Sequence, residues 1–424
     1  MKIAVIGAGI IGVTTAYELG LDGHAVTVFE RRGAAAEESS FANAGVLAPG
    51  YVTPWAAPGM PMKVLGQLFH RHASIKLALP LRMTDLAWIW RWYRACRLDV
   101  YLANRSHMQK LAFYSRARLA SITTRLRLEY DRSNGYLVLL RTARDVKLAQ
   151  PSLQVLRDAG VAYQQLDSDQ ARKIEPALNP DTPFQGAVLC PDDGVGNCRQ
   201  FALMLKNEAQ RLGVVFRFRI VVQALARSQQ PDKGIDVVMG AGTPVQHFDA
   251  VVLCAGLDSA QLLRPLGIRL AMTAVHGYSV SATIREPLNA PRSAVMDEHF
   301  KVAITRLGQR VRVAGSAELG GAASQRRPAS LQTLYKVLHD WFPGAASHVA
   351  GVQEWKGARP MFPDRPPMVG GSGIHGLWFN LGHGSSGWAM ACGSARALAD
   401  QILGHATEID MRGFDPQATT DQLS

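Results

Sequence analysis

The sequence predicts an α/β chain: a parallel sheet wrapped by helices, joined to a second, α+β domain built on an antiparallel sheet. Three observations carry this. The first thirty residues read strand, glycine turn, helix, strand, which is the βαβ unit of a parallel sheet. Residues 273–316 alternate in the manner of antiparallel strands. A basic, aromatic and helical stretch at 75–130 interrupts the α/β pattern and reads as an inserted layer.

In order, Lys2–Ile6 is a β-branched run and reads as a buried strand; Ile10–Leu21 reads as a helix closed by Asp22-Gly23; His24–Glu30 reads as the second strand. Residues 51–66, rich in proline, glycine and aromatics, mark a shift in composition. In the stretch that follows, Leu86–Arg97 places Ile89, Trp92 and Tyr93 on one helical face with Leu86. Two roles fit this helix: an interfacial helix against anionic headgroups, or a buried cap over a site. Gly135–Arg141 is a strand; Val146–Asp158 and Asp167–Ile174 are helices with a strand between; Arg199–Leu212 is a helix; strands follow at Val214–Ala226 and Ile235–Met239. Phe248–Gly256 is a strand running into a glycine, Leu331–Trp341 a helix, Leu377–Asn380 a strand and Trp388–Leu403 a closing helix.

A chain of 424 residues has room for two domains, and 47 % hydrophobic content fits a soluble globular protein. No apolar run approaches the ~18 residues of a membrane-spanning helix. The net charge of +12 favours acidic partners. It is spread along the chain, and Arg82, Arg91, Arg94 and Arg97 fall on an amphipathic helix rather than a contiguous basic face, so no nucleic-acid partner is expected. Five widely spaced cysteines without C-x-x-C argue against a disulfide framework and against a metal site, and fit a reduced compartment. The first twenty residues superficially resemble a signal peptide, but their glycines and Glu18 count against one.

Val5–Gly12 reads V-I-G-A-G-I-I-G. Gly7, Gly9 and Gly12 match G-x-G-x-x-G between a strand and a helix, the context that gives the motif its meaning. The first glycine permits the turn, the second lets a pyrophosphate approach the backbone, and the third lets helix and strand pack closely. Ala8, Ile10 and Ile11 complete the turn, whose free N–H groups at a helix N-terminus suit phosphate. Glu30 ends the second strand eighteen residues beyond Gly12, where a carboxylate accepts from ribose hydroxyls. Arg31 beside it and Val222 complete the nucleotide candidates. FAD is favoured over NAD by two further glycine junctions, Ala255-Gly256 after a strand and Gly382, His383, Gly384, Ser385, Ser386 and Gly387 before the last helix. The predicted nucleotide part is therefore a Rossmann-type, glutathione-reductase-like FAD domain, discontinuous over 1–50, 144–272 and 350–424; residues 51–143 and 273–349 form the substrate domain.

S-S-F-A-N-A-G at 39–45, P-G-Y-V-T-P-W-A-A-P-G at 49–59, H-G-Y-S at 276–279, F-K-V-A-I-T-R at 300–306 and G-H-G-S-S-G-W-A-M-A-C-G-S at 382–394 resemble the D-amino acid dehydrogenase small-subunit (DadA-like) family, within the wider group of glycine, sarcosine and D-amino acid oxidases. The resemblance runs to about residue 405. It implies noncovalent FAD and oxidative deamination of a small D-amino acid to a 2-oxo acid and ammonia. Hydride passes from the substrate α carbon to flavin N5, the imine hydrolyses in water, and the electrons go on to a quinone-type acceptor. The alternative substrate is glycine, sarcosine or a D-proline or hydroxyproline type of imino acid. A peripheral site on the cytoplasmic face of the inner membrane, or the cytoplasm itself, follows as the expected location.

By the same resemblance, Ser39, Ser40, Asn43, Ala44, Gly45 and Val46 run along the flavin, Arg359 holds the substrate carboxylate, Tyr278 matches an active-site tyrosine and Lys301 lies near the flavin. A carboxylate in an apolar pocket calls for a guanidinium fork, for which Arg365 is the other candidate. Lys301, in a predicted strand, reads equally as a snorkelling side chain. Three departures from the family pattern stand out: His276 for a lysine, Arg365 for a glycine, and Ser385-Ser386 for Thr-Leu; the last two bear on the substrate. His276 reads as a structural residue or a pocket residue.

Overall fold

The computed structural model describes residues 1–67, 73–228, 234–240, 242–322, 324–347 and 351–417. The expected boundary at 349/350 and residues 418–424 lie outside the described residues. The nucleotide sheet has six strands in the order Met368–Gly371, Leu377–Leu381, Ala250–Leu253, Lys2–Ile6, Ala25–Glu30 and Val215–Phe218. All pairs are parallel except the first. Ile6 is in register with Leu253 and Phe29, so three strands end together and deliver Gly7, Cys254 and Glu30 to one edge. Ligands of such sheets bind beyond the carboxyl ends of the strands.

The central strands are apolar throughout because both faces are covered. Helices Ile10–Leu21, Cys198–Arg211 and Gly387–Ile402 bury Val13, Phe201 and Met390 on one side. A three-stranded antiparallel sheet of Val222–Arg227, Ile235–Met239 and Gln246–Phe248 buries Leu225, Val237 and Phe248 on the other.

The second sheet has ten strands. Its main path is Gln353–Met361, Thr273–Thr283, Arg310–Gly320, Val302–Leu307, Ala294–Asp297, Ser133–Leu140, Gly186–Val195 and Val46–Leu47; Ile75–Ala78 and Gln164–Leu166 pair off it. Helix Pro328–Trp341 covers one face, with Trp341 and Phe342 in its cluster.

Its composition departs from the expected segment boundaries. Residues 1–50, 144–272 and 350–424, all assigned to the nucleotide part, contribute Val46–Leu47, Gln164–Leu166, Gly186–Val195 and Gln353–Met361. Conversely, helix Leu98–Leu126 buries Met108, Leu111 and Ile122 in the nucleotide part's cluster. The chain crosses between sheets more often than composition shifts reveal. Strand Gly186–Val195 also carries the run C-P-D-D-G, which hides its periodicity.

The tryptophan-rich helix, Met83–Ala95, buries Asp85, Trp88, Trp92 and Ala95. Trp88 and Trp92 pack against Trp55. Leu86 and Tyr93 face outward instead of sharing a face with Trp92. The helix is thus a cap on its inner side and an exposed aromatic stripe on its outer side.

Candidate active site

The glycine turn is built for close approach. Gly7 has φ +102°, and its amide donates to the Phe29 carbonyl at 2.8 Å. A Cβ on Gly7 would lie 2.7 Å from the Cys254 carbonyl oxygen, and one on Gly12 would lie 1.8 Å from the Gly7 carbonyl oxygen. A Cβ on Gly9 would meet only Ser40 Oγ, at 3.5 Å, so the space over Gly9 is open. Ser40 Oγ accepts from the Ile10 amide at 3.0 Å, at the helix N-terminus.

Glu30 accepts from the Ala8 amide at 2.7 Å and the Arg32 amide at 2.8 Å. Its first role is therefore to brace the turn, although each oxygen keeps a further lone pair for a hydroxyl. Arg31 pairs with Glu38 at 3.0 Å and Asp258 at 2.5 Å.

One cavity of about 590 Å³ lies beyond this turn, walled by both sheets. Ile10, Ile11, Ser39, Ser40, Asn43, Ala44 and Val46 reach it, as do Gly256 and all of Gly382–Gly387. The Asn43–Val46 loop is held from behind. Asn43 Oδ1 accepts from the Gly45 amide at 3.0 Å, its carbonyl accepts from Arg312 Nη1 at 3.0 Å, and Gly45, at φ +76°, accepts from the Gly196 amide at 2.9 Å. Ser39 Oγ donates to the Ala358 carbonyl.

At the far wall, Gly382 (φ +81°) has no room for a side chain, since a Cβ would lie 2.0 Å from the Phe362 ring. The turn Gly384–Ser386 then leads into helix Gly387–Ile402, whose N-terminus faces the cavity. His383 is buried against Ser394 Oγ at 3.1 Å, and burial pushes its pKa down to about 3, so the imidazole is neutral. Gly7, Ala8, Gly9, Gly12, Glu30, Arg31, Gly45 and Ala255 lie behind the wall or at the turn beneath it, and Val222 packs into the cluster under the three-stranded sheet.

These residues fit FAD. The turn is open at Gly9, two helix N-termini meet the cavity, and Asn380 Oδ1, on the cavity wall, is buried without a hydrogen-bond partner among the described residues.

Arg359 stands on edge strand Gln353–Met361, opposite Val275. Its guanidinium lies across Gly277, where a Cβ would fall 2.2 Å from Nη2. Nη1 donates to the Ser316 carbonyl at 3.0 Å. Ser316 has φ +61° at a register shift facing His276–Tyr278, and this bulge turns its carbonyl toward the guanidinium. Arg359 makes no ion pair among the described residues. Burial lowers its pKa to about 10, so it stays charged at neutral pH. Sequence reasoning missed Gly277 and Ser316 as the seat of this arginine, because their role depends on the bulge.

The other sequence candidates fare differently. Tyr278 borders the cavity, but its hydroxyl donates to Glu318 Oε2 at 3.0 Å and accepts from the Arg327 amide at 3.2 Å. Glu318 also pairs with Lys356 at 2.8 Å and Arg327 at 3.1 Å. Tyr278 therefore belongs to a buried network, with its pKa raised to about 12 chiefly by burial. Lys301 reaches the cavity from a left-handed turn (φ +54°) just before strand Val302–Leu307, not from within it, and pairs with Glu298.

His276 is buried on the side of the strand away from Arg359 and off the cavity wall. Burial, then Lys356, lowers its pKa. Arg365 also lies off the wall: Nη2 donates to the Asp415 carbonyl at 2.8 Å and the guanidinium covers Phe362. It anchors the C-terminal segment, away from the cavity.

Comparison with known proteins identifies the family. The profile of the FAD dependent oxidoreductase (DAO) family matches residues 2–401. The chain is 42 % identical over 412 residues to a D-amino acid dehydrogenase of Allorhizobium ampelinum, covering 97 % of this chain and 96 % of that one. It is 41 % identical over 416 residues to a D-amino acid dehydrogenase of Rhizobium johnstonii, covering 97 % and 98 %. Among solved structures, glycine oxidase from Geobacillus kaustophilus superposes with TM-score 0.76 at 20 % identity, covering 98 % of this chain and 97 % of that one. L-proline dehydrogenase from P. horikoshii gives 0.73 at 16 %, covering 99 % and 98 %. The chain belongs to the DAO family of FAD-dependent oxidoreductases, and FAD is its cofactor.

Proposed function

We propose that this enzyme oxidatively deaminates D-amino acids and passes the electrons to a quinone-type acceptor. The carrying observation is Arg359, a charged guanidinium without an ion pair among the described residues, set in the cavity that the expected flavin-binding elements wall. The curated relatives named D-amino acid dehydrogenase, alike over 97 % of this chain, support the choice of substrate.

The Gly7–Gly12 turn, the Asn43–Val46 loop and the Gly382–Gly387 turn would hold FAD, which would supply a two-electron acceptor for the hydride of the substrate α carbon. The chain's own part is orientation and electrostatics. Arg359 takes the α-carboxylate on its fork and fixes the α carbon relative to the Asn43–Val46 loop and the Gly384 turn. Trp55, backed by Trp88 and Trp92, narrows the cavity's access to water. Tyr278 and Lys301 already have partners, so neither is assigned a proton transfer, and the imine product hydrolyses in solution. Purified holoenzyme, mixed anaerobically with paired D- and L-amino acids, should lose its visible flavin absorbance with the D forms. Bleaching by L forms alone, or by neither, would end this reading.

His276 tests the division between cavity and core. His276→Lys should leave the substrate ranking as it is and lower stability by about 3 kcal/mol, because it buries a further cation beside Lys356, which already shares Glu318 with Arg327. A changed ranking, with the melting temperature intact, would put position 276 back in the site.

The outer face of helix Met83–Ala95 supports a membrane contact. Met83 is 80 %, Trp90 58 % and Tyr93 62 % exposed, and Arg94 stacks on Trp90 at 4.8 Å. No helix among the described residues is long and apolar enough to cross a membrane, so contact would be peripheral. Aromatic side chains beside arginines suit the headgroup level. Binding to anionic vesicles should weaken with salt, and Arg94→Ala should cost about 1 kcal/mol of that affinity. Turnover with oxygen should be slow beside a soluble quinone analogue. Indifference to anionic lipid at low salt removes the membrane, and equal rates with oxygen make the enzyme an oxidase.

A further inference from the structure

The cavity holds a second arginine that the site described above does not use. Arg105, on helix Leu98–Leu126, reaches the cavity wall and is 3 % exposed. Its Nη1 donates to Tyr101 Oη at 3.0 Å, and the guanidinium lies 5.8 Å from the Tyr101 ring centroid. Its Nε is buried with no hydrogen-bond partner, and no carboxylate pairs with it among the described residues. Nearby polar groups of the same helix are spent elsewhere: Asn104 donates to the Asp364 carbonyl at 3.0 Å and Gln109 to the Gly50 carbonyl at 3.0 Å. A neutral phenol does not compensate a buried charge, and a desolvated guanidinium without an anion is among the costliest groups a fold can keep. Arg118, farther along the same helix and only partly buried, has its counter-charge in Glu18 at 2.6 Å.

We infer that Arg105 is a second anion-receiving residue of the cavity, completed only when ligand is bound. The inference rests on the cavity being the flavin and substrate site. Two sources can supply the anion: a carboxylate of the amino acid, or the pyrimidine end of the flavin, which carries negative charge when reduced. Arg359 cannot serve both ends of a ligand, since its fork is fixed across Gly277 and toward the Ser316 carbonyl.

The test uses flavin-loaded wild type, Arg105→Lys and Arg105→Met, with Arg105→Gln replacing the Met variant if that does not load flavin. One arm titrates benzoate, a carboxylate with no α hydrogen to give up, and reads the perturbation of the flavin spectrum. The other measures the flavin midpoint potential. If the anion is a carboxylate, Arg105→Met should weaken benzoate binding at least tenfold. If it is the reduced flavin, the potential should fall by about 30 mV or more, the two-electron equivalent of a tenfold change. In either case Arg105→Lys should recover part of the effect, which a packing role would not predict. Unchanged affinity and unchanged potential in the Met or Gln variant overturn the assignment. Failure of D-amino acids to bleach wild type, by contrast, would count against the proposed reaction and leave the two arms readable.

Discussion

Gly9→Val should give a folded, colourless protein, whereas Gly12→Val should fail to fold. The two glycines sit in one turn and differ in what a side chain would meet. A Cβ on Gly12 falls 1.8 Å from the Gly7 carbonyl oxygen, and both partners are backbone held by the first strand and the first helix. Neither can move without parting the helix from the sheet. The overpacking cost is at least about 3 kcal/mol, at the top of the usual range, against a typical total stability of ~5–15 kcal/mol. Gly9 has φ −66° and ψ −179°, which valine adopts readily, and only Ser40 Oγ stands within 4 Å of its Cβ, at 3.5 Å. The valine methyls then occupy the space over the turn where the pyrophosphate approaches. Thermal melting and visible absorbance separate the outcomes. A Gly9→Val protein with a full complement of flavin would refute the assignment of this turn, and a stable Gly12→Val would show that the helix can shift.

What the sequence made legible, and what it did not, divides along how far each feature reaches. The glycine turn and Glu30 are local: strand, turn and helix follow one another, and the spacing alone places the carboxylate beside the turn. Arg359 was legible from its motif and its place before the last strand. The direction of a side chain on a strand is less accessible. His276 and Tyr278 sit at a register shift, where simple alternation fails, and only the paired strand Arg310–Gly320 shows which side each faces.

Lys301 lies one residue before the strand that the sequence predicts for it, because it is itself the left-handed residue that ends the turn, and no glycine or asparagine announces that turn. The tryptophan-rich helix buries a different face from the one its apolar spacing predicts, for a polar reason. Asp85 lies on the buried face because it accepts from the Arg82 amide at 2.9 Å and from Thr273 Oγ1 at 3.2 Å, so counting apolar residues favoured the wrong stripe. Arg105 offered no signal at all, being one arginine among many on a long helix.

Arg359→Lys should lower kcat/KM by about 2–4 kcal/mol, the range for truncating one side of a buried charged pair, or roughly 30- to 1000-fold. The charge is conserved, so the loss isolates geometry. Arginine presents two parallel donors to a carboxylate while Nη1 donates to the Ser316 carbonyl; an ammonium offers one compact charge and cannot span both. Gly277 makes the same point from the other side, since the open position beneath the guanidinium has nothing to hold a shorter, rotatable head. If the fork mainly orients the α carbon, kcat should fall along with the rise in KM, because a misaligned substrate binds without reacting. Arg365→Lys is the matched control: its guanidinium packs on Phe362 and bonds the Asp415 carbonyl, away from the cavity, so substrate kinetics should hold. Near-normal kcat/KM in a folded, flavin-loaded Arg359→Lys would transfer the carboxylate to another cation of the cavity, and a large loss confined to Arg365→Lys would place the clamp there.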